Sequence, residues 1–227
     1  MLPNLHTKWS RRLFNLAAAP YAWMTWQDTW RNHCGSLAVH FPNPTHPQSL
    51  RVLDLGIGPG VSGIGIVEQR PDVSLVGVDF SEQMLRQAQG FVKRSGKSIT
   101  LIRADGAALP FSDKTFDIVT HHSFLYLVSN RSGVLQEIHR VLKNNGRYVM
   151  LEPNEDGRFS VIPSMEGNLR FKLSMALWRF FSARYGRFTE TQLRKLLETT
   201  GFDNITILPT LGGLGWIVCA DARKQAV

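Results

Sequence analysis

Three glycines and three carboxylates carry the chemistry that can be read from this chain. Gly56, Gly58 and Gly60 alternate directly after the apolar run Val52-Leu53-Asp54-Leu55, and Asp79 closes a second apolar run downstream. A backbone without Cβ atoms can turn sharply and lie against a ligand, and the helix expected after such a turn offers free N–H groups at its start. Asp79, at the end of a strand about twenty residues beyond the glycines, stands where a carboxylate can take both hydroxyls of a ribose. Asp54 lies inside the first strand, where a carboxylate is costly unless it is paired or hydrogen-bonded to nearby amides, so a task near the turn accounts for it better than packing. Asp105 supplies a third acid at the corresponding end of the next strand. The combination points to a nucleoside-bearing cofactor, although glycine turns alone also serve as plain connections. Asp79 has a second reading as the cap of a helix at 81–90, a role Ser81 fills equally well.

The elements that must position these residues follow from the β-rich runs at 51–55, 74–79, 98–103, 116–121, 147–152, 204–208 and 215–220, with helical patterns between the earlier ones. Such alternation predicts an α/β fold with a doubly wound, mostly parallel sheet of seven strands. The last two runs are joined by Pro209 to Gly213, too short for a helix, so they are expected to pair as an antiparallel hairpin. Residues 1 to about 40 read as helical, and Pro42, Pro44 and Pro47 make a stiff linker. One domain is expected, divided into a helical lid segment at 1–45, a cofactor-binding core at 50–153, a lid insertion at 155–187, and a helix with a strand hairpin at 188–227.

The chain has 227 residues and a net charge of +8, a weak pointer to an anionic partner. Cys34 and Cys219 show neither disulfide nor zinc spacing, so no metal is expected and a reducing cytoplasm suits them. Ser10-Arg11-Arg12-Leu13-Phe14 outlines a twin-arginine export signal, but Asn15 and Pro20 interrupt the apolar part, and export is not expected. No run approaches the roughly 20 apolar residues that span a bilayer.

Four segments together resemble the class I S-adenosylmethionine-dependent (SAM) methyltransferases, in the group of the ubiquinone/menaquinone biosynthesis and small-molecule methyltransferases. They are VLDLGIGPG at 52–60, VGVDFSEQML at 76–85, RADGAALPFSDKTFDIV at 103–119 and EIHRVLKNNGRYVMLEP at 137–153. The resemblance covers roughly residues 50 to 153 and implies the Rossmann-like methyltransferase fold with SAM as cofactor. It further implies that Gly56, Gly58 and Gly60 line the methionine half, that Asp79 holds the ribose, and that Asp105 with Gly106 or Ala107 reads the adenine edge between Phe80 and Met84. Met84 has the alternative of filling the core. Asn144-Asn145-Gly146 departs from the family's usual Pro-Gly-Gly turn, away from the cofactor.

An activated methyl group asks little covalent chemistry of a protein beyond positioning and exclusion of water. A base is needed if the acceptor is a hydroxyl or an acidic carbon. His121 and His122 follow the strand at 116–120 and are the candidates, only one of which can serve, because adjacent side chains point in different directions. A histidine that merely packs is the plainer alternative. No Asn-Pro-Pro-Tyr-like segment follows that strand, which argues against amino methylation of nucleic acids and proteins. The expected acceptor is a small apolar or aromatic molecule methylated at oxygen or carbon. The insertion at 155–187 mixes aromatics with arginines, which suits either a lid with solvated arginines or a basic amphipathic helix on a phospholipid surface. Nucleic acid ranks below both. A nicotinamide dehydrogenase explains the glycines and Asp79 but not Asp105-Gly106-Ala107, and a non-catalytic SAM-binding protein stays open, as does lipid N-methylation at a membrane.

Overall fold

The computed structural model of the protein describes residues 18–43 and 49–223. The arginine pair at 11–12, Asn15, Pro44 and Pro47 lie outside the described residues. Seven strands form one sheet: β1 (Leu50–Leu55), β2 (Val73–Asp79), β3 (Thr100–Arg103), β4 (Phe116–His122), β5 (Leu142–Pro153), β6 (Phe202–Thr210) and β7 (Gly215–Ala222), in the order β3-β2-β1-β4-β5-β7-β6. The first five strands pair in parallel, and β7 runs antiparallel to both β5 and β6. The expected hairpin is therefore present, and its connection Leu211–Gly213 is a tight turn in which all three residues have positive φ.

The strand order reverses between β1 and β4. In open α/β sheets ligands bind outside the carboxyl ends of the strands at such a reversal. Here that crevice lies between the turn after Leu55 and the end of β4 at His122.

Helices cover both faces of the sheet because successive strand residues alternate sides. Val52, Ile118, Val149 and Leu151 pack with Trp30, Ile66, Phe171 and Met175 on one side. Leu53, Leu55, Val119, Tyr148 and Met150 pack with Leu135, Ile138, Leu193 and Phe202 on the other. The first side is built from a helix at 18–25, here α1, with α2 (Asp28–Gly35), α3 (Val61–Gln69) and α6 (Leu169–Tyr185). The second carries α5 (Arg131–Val141) and α7 (Glu190–Thr199). Beside β2 and β3 runs α4 (Glu82–Ser95). Local chemistry sets the helix starts: Ser81, Asn130 and Asn168 accept the N–H three residues on, and Thr189 with Gln192 forms a reciprocal capping box.

The early helices and the insertion are joined. Trp30 Nε1 donates to Ser174 Oγ at 2.6 Å, Arg170 donates to the Trp26 carbonyl at 2.9 Å, and the Arg170 guanidinium lies over Trp23. The arginines of the insertion are not uniformly solvated. Arg158 and Arg184 are exposed, but Arg179 is buried and donates to the carbonyls of Asn154, Glu155 and Gly157. A buried guanidinium needs several acceptors, and a non-helical backbone segment provides them.

Candidate active site

The turn after β1 is made by glycines at positive φ: 69° at Gly56, 54° at Gly58 and 90° at Gly60. At Gly56 a Cβ would also lie only 2.4 Å from Phe124 Cδ2, so both backbone angle and space demand glycine there. Gly60 is the N-cap of α3 and brings no side chain to its first turn, leaving those amides open to a ligand's anionic group.

Asp79 is tied into this turn. Its Oδ2 accepts the Gly58 N–H at 2.9 Å and its Oδ1 accepts the Ser81 N–H at 2.8 Å. The Phe80 amide bonds to it as well, and the carboxylate keeps acceptor capacity for a hydroxyl. Burial pushes Asp79 up to about 6, opposed by the amides of Ser81, Gly58 and Phe80. The capping role belongs to Ser81, whose Oγ accepts the Met84 N–H at 3.3 Å.

Asp54 is fully buried. Its partner is a hydroxyl rather than the amides expected from sequence: Ser62 Oγ on α3 donates to Oδ2 at 2.6 Å, and Oδ1 has no partner. Burial pushes Asp54 up to about 7, with nearby Asp79 adding to the rise.

Where the resemblance leads one to expect the adenine, an open cleft of about 370 Å³ is lined by residues 80–83 together with Arg103, Ala104 and Asp105, and so includes Phe80. Asp105 is exposed and its Oδ1 accepts the Ala107 N–H at 3.0 Å. Gly106 is buried and Ala107 exposed. Met84 is only 2% exposed and does not line the cleft, which is the packing position weighed against a cofactor contact.

The two histidines part company. His121 is fully buried, with Nε2 2.5 Å from the Tyr148 hydroxyl and Nδ1 3.3 Å from Glu152 Oε1. Burial holds it neutral, down to about 3, with His122 adding to the shift. Its ring packs between those of Tyr148 and Phe124, at 5.5 and 5.4 Å, with no surface exposed. His122 projects to the opposite face, where its ring meets Trp30 edge-on at 5.4 Å and lies 6.5 Å from the ring of His33 on α2. Burial lowers His122 to about 3, and His33 adds to that shift.

Sequence reasoning did not single out Phe124, Glu152, Ser62 or His33. The Phe124 ring lies against Gly56, and a Cβ on Gly106 would meet its Cζ at 3.1 Å, so one aromatic side chain contacts both glycine positions. It is held there by Glu152, whose carboxylate accepts the N–H groups of Phe124, Leu125 and Tyr126 at 2.9, 2.7 and 3.1 Å. Burial pushes Glu152 up to about 8 against the pull of those amides. A glutamate directly after the apolar Tyr148–Leu151 run, before Pro153, was the available signal.

Several buried polar atoms without partners belong to the ends of β1 and β4 and the helix beside them: Asp54 Oδ1, Thr120 Oγ1, His122 Nε2, Ser123 Oγ and His33 Nε2, with Thr120 the register partner of Asp54; others, among them His139 Nε2 and Trp178 Nε1, lie elsewhere. Unsatisfied buried groups are costly, so their grouping marks a place where a ligand completes them. A glycine cradle, open helix amides, a carboxylate with spare lone pairs and a second, orphaned carboxylate fit a cofactor with a ribose, a carboxylate and a positive charge. Among the described residues no group of three or more His, Cys, Asp and Glu side chains could hold a metal ion, and Cys34 and Cys219 are buried and free.

Residues 52–146 match the family described as "Methyltransferase domain". The chain is 31% identical over 187 residues to the demethylmenaquinone methyltransferase of Lactobacillus johnsonii, covering 76% of each chain. It is 35% identical over 135 residues to the demethylmenaquinone methyltransferase of Thermus thermophilus, covering 59% of each. Against some relatives, therefore, the chain spans only about half to three-fifths of their length. A SAM-dependent methyltransferase from Aquifex aeolicus superposes with a TM-score of 0.60 at 18% identity, over 78% of this chain and 85% of that one, which supports the fold. No helix among the described residues is long and apolar enough to cross a membrane. The chain uses S-adenosylmethionine and belongs to the class I SAM-dependent methyltransferases.

Proposed function

We propose that the protein methylates a ring carbon or oxygen of a small apolar aromatic molecule, with a reduced quinone as the substrate class. The observation that carries this reading is the composition of the crevice wall at the end of β4. Trp30 and Phe171 pack ring to ring at 5.4 Å, Trp30 also meets His122, its donor is already used on Ser174, and the Nε2 atoms of His122 and His33 have no partner. A flat apolar ring with a hydroxyl edge matches such a wall better than a charged or strongly hydrated acceptor. The names of the quinone methyltransferase relatives agree with it.

The cofactor supplies a methyl group on positively charged sulfur, already activated for transfer. In this reading Gly56, Gly58, Gly60 and the first amides of α3 hold its amino-acid half, Asp79 binds the ribose, and Asp105 with Phe80 contacts the base. Asp54 supplies negative charge near the cation. His122, rather than His121, faces the acceptor. The aromatic cover excludes water, which strengthens these contacts. The test is incubation of the protein with methyl-labelled SAM and a reduced naphthoquinone unsubstituted beside its carbonyl-derived hydroxyl, with the product followed by mass spectrometry. Addition of one methyl group is expected. No transfer from a protein that still binds S-adenosylhomocysteine would overturn the substrate class.

A surface reading accompanies it. Leu169, Leu173, Phe180 and Phe181 on α6 are more than half exposed, Arg184 on the same helix is exposed, and Arg158 in the segment before it is exposed too. Such a face suits transient contact with an anionic bilayer, from which a lipid-soluble acceptor would be collected. Co-sedimentation with anionic vesicles that is lost in Phe180→Ser/Phe181→Ser is the expected result, and absence of binding by the unaltered protein removes it.

A further inference from the structure

Two imidazoles from distant parts of the chain meet over the crevice. His122 ends β4, His33 lies on α2, and their ring centroids are 6.5 Å apart at an interplanar angle of 88°. Trp30 contacts both rings, at 5.4 Å and 6.3 Å. Its own donor is already used on Ser174, so the indole adds apolar surface and no polar group. The Nε2 atoms of both histidines are shielded from solvent and have no hydrogen-bond partner. Packing alone would be served as well by phenylalanines, without the cost of two unpaired nitrogens.

We propose that His33 and His122 form a recognition site for a hydroxyl on the edge of the aromatic acceptor, whose ring packs against Trp30. Each neutral imidazole has one donor and one acceptor nitrogen, so the pair can accept the hydroxyl proton and donate to its oxygen at once. This arrangement favours an uncharged hydroxyl over an ether of similar size, because an ether leaves the accepting nitrogen unpaired. Metal binding is a poorer account of the pair, since no third ligand accompanies it among the described residues. The inference deepens the proposed function by naming how the acceptor is selected, and it rests on that reading only for where the acceptor enters.

Binding can be tested without turnover. The protein saturated with S-adenosylhomocysteine is titrated with 1-naphthol and with 1-methoxynaphthalene, read by quenching of tryptophan fluorescence. The expected result is a preference of about tenfold for 1-naphthol, the size of one well-made hydrogen bond to an otherwise unpaired group. His33→Phe and His122→Phe should each remove most of that preference while leaving affinity for the ether unchanged, and His122→Gln should restore part of it. Equal binding of the two probes, or a preference that survives in both Phe variants, overturns the proposal. Should a variant fail to fold, nitrogen-15 spectra of the imidazoles in the unaltered protein decide instead. Resonances of His33 and His122 should shift with 1-naphthol and stay with the ether, and immobile resonances overturn the assignment. A histidine-dependent preference without methylation of a quinol would separate failure of the substrate class from failure of this inference.

Discussion

Replacing Asp54 by Asn should make the protein more stable and its cofactor site poorer, with a pH dependence that can be worked from the structure. The side chain is fully buried, one oxygen accepts from Ser62 and the other has no partner, and burial moves the group from 3.8 to about 7. A raised carboxyl binds its proton more tightly in the folded than in the unfolded chain. Stability therefore falls as pH rises from the unfolded value toward the folded one, and is flat above it. Every tenfold difference in proton affinity between the two states corresponds to about 1.4 kcal/mol, so ionisation of Asp54 costs about 4 kcal/mol at pH 8. At pH 5 the cost is roughly 2 kcal/mol, because the unfolded chain is already ionised there while the folded one is not. Asn can still accept from Ser62 and carries no charge. The stability difference between Asp54→Asn and the unaltered protein should thus widen by roughly 2 to 3 kcal/mol between pH 5 and pH 8. Urea denaturation at several pH values measures it, and other titrating groups cancel in the difference. A gap of constant size across that range would refute the reasoning. In parallel, calorimetry should show weaker SAM binding by the variant at pH 8, because the positive sulfur loses a nearby countercharge.

Further outcomes follow from the same site. Gly56→Ala would place a methyl 2.4 Å from Phe124 at a φ of 69°, and should cost at least about 2 kcal/mol. In a double-mutant cycle with Phe124→Ala, a coupling energy near zero would show that the ring is not the obstacle. Glu152→Ala leaves the amides of Phe124, Leu125 and Tyr126 without their acceptor and should cost about 3 kcal/mol or more, with faster hydrogen exchange at those three positions. Unchanged exchange there would contradict the clamp. Affinity for S-adenosylhomocysteine should fall as pH drops below about 6, where Asp79 takes up a proton and can no longer accept a ribose hydroxyl as an anion. Asp79→Asn should bind about tenfold more weakly or worse and show a flatter profile, and an identical acid limb in the variant would exclude Asp79 as its cause.

The sheet was legible in the chain because its strands are short β-rich runs bounded by turns, and the runs beginning near 51, 74, 116 and 215 fall within about one residue of the observed strands. The glycine turn and the place of Asp79 beside it were legible for the same local reason, since both depend on neighbours in one turn. Glu152 and His33 were not, since their partners come from 26 or more residues away in the first case and from another layer in the second. The histidine pair at 121–122 shows the limit plainly. Alternation predicts that the two rings diverge, but only the tertiary structure reveals that Tyr148 and Glu152 wait under one of them and Trp30 over the other. Arg179 was misread because solvation is the default for an arginine, and the irregular carbonyls of residues 154–157 that override it have no sequence signature.

The place of β7 has a consequence for synthesis. It is the seventh of the seven strands in sequence, yet it lies between β5 and β6 and pairs with both. Until residue 222 has cleared the ribosomal tunnel, β5 presents a bare edge along Arg147–Pro153, including the residue that clamps the crevice, and β6 has no sheet to join. Closure of the sheet therefore waits for its last strand, which must thread between two strands already made. Shortening the chain by a few residues within β7 would leave a partly assembled sheet with exposed apolar edges, so truncated products of this protein would be prime clients of chaperones and proteases.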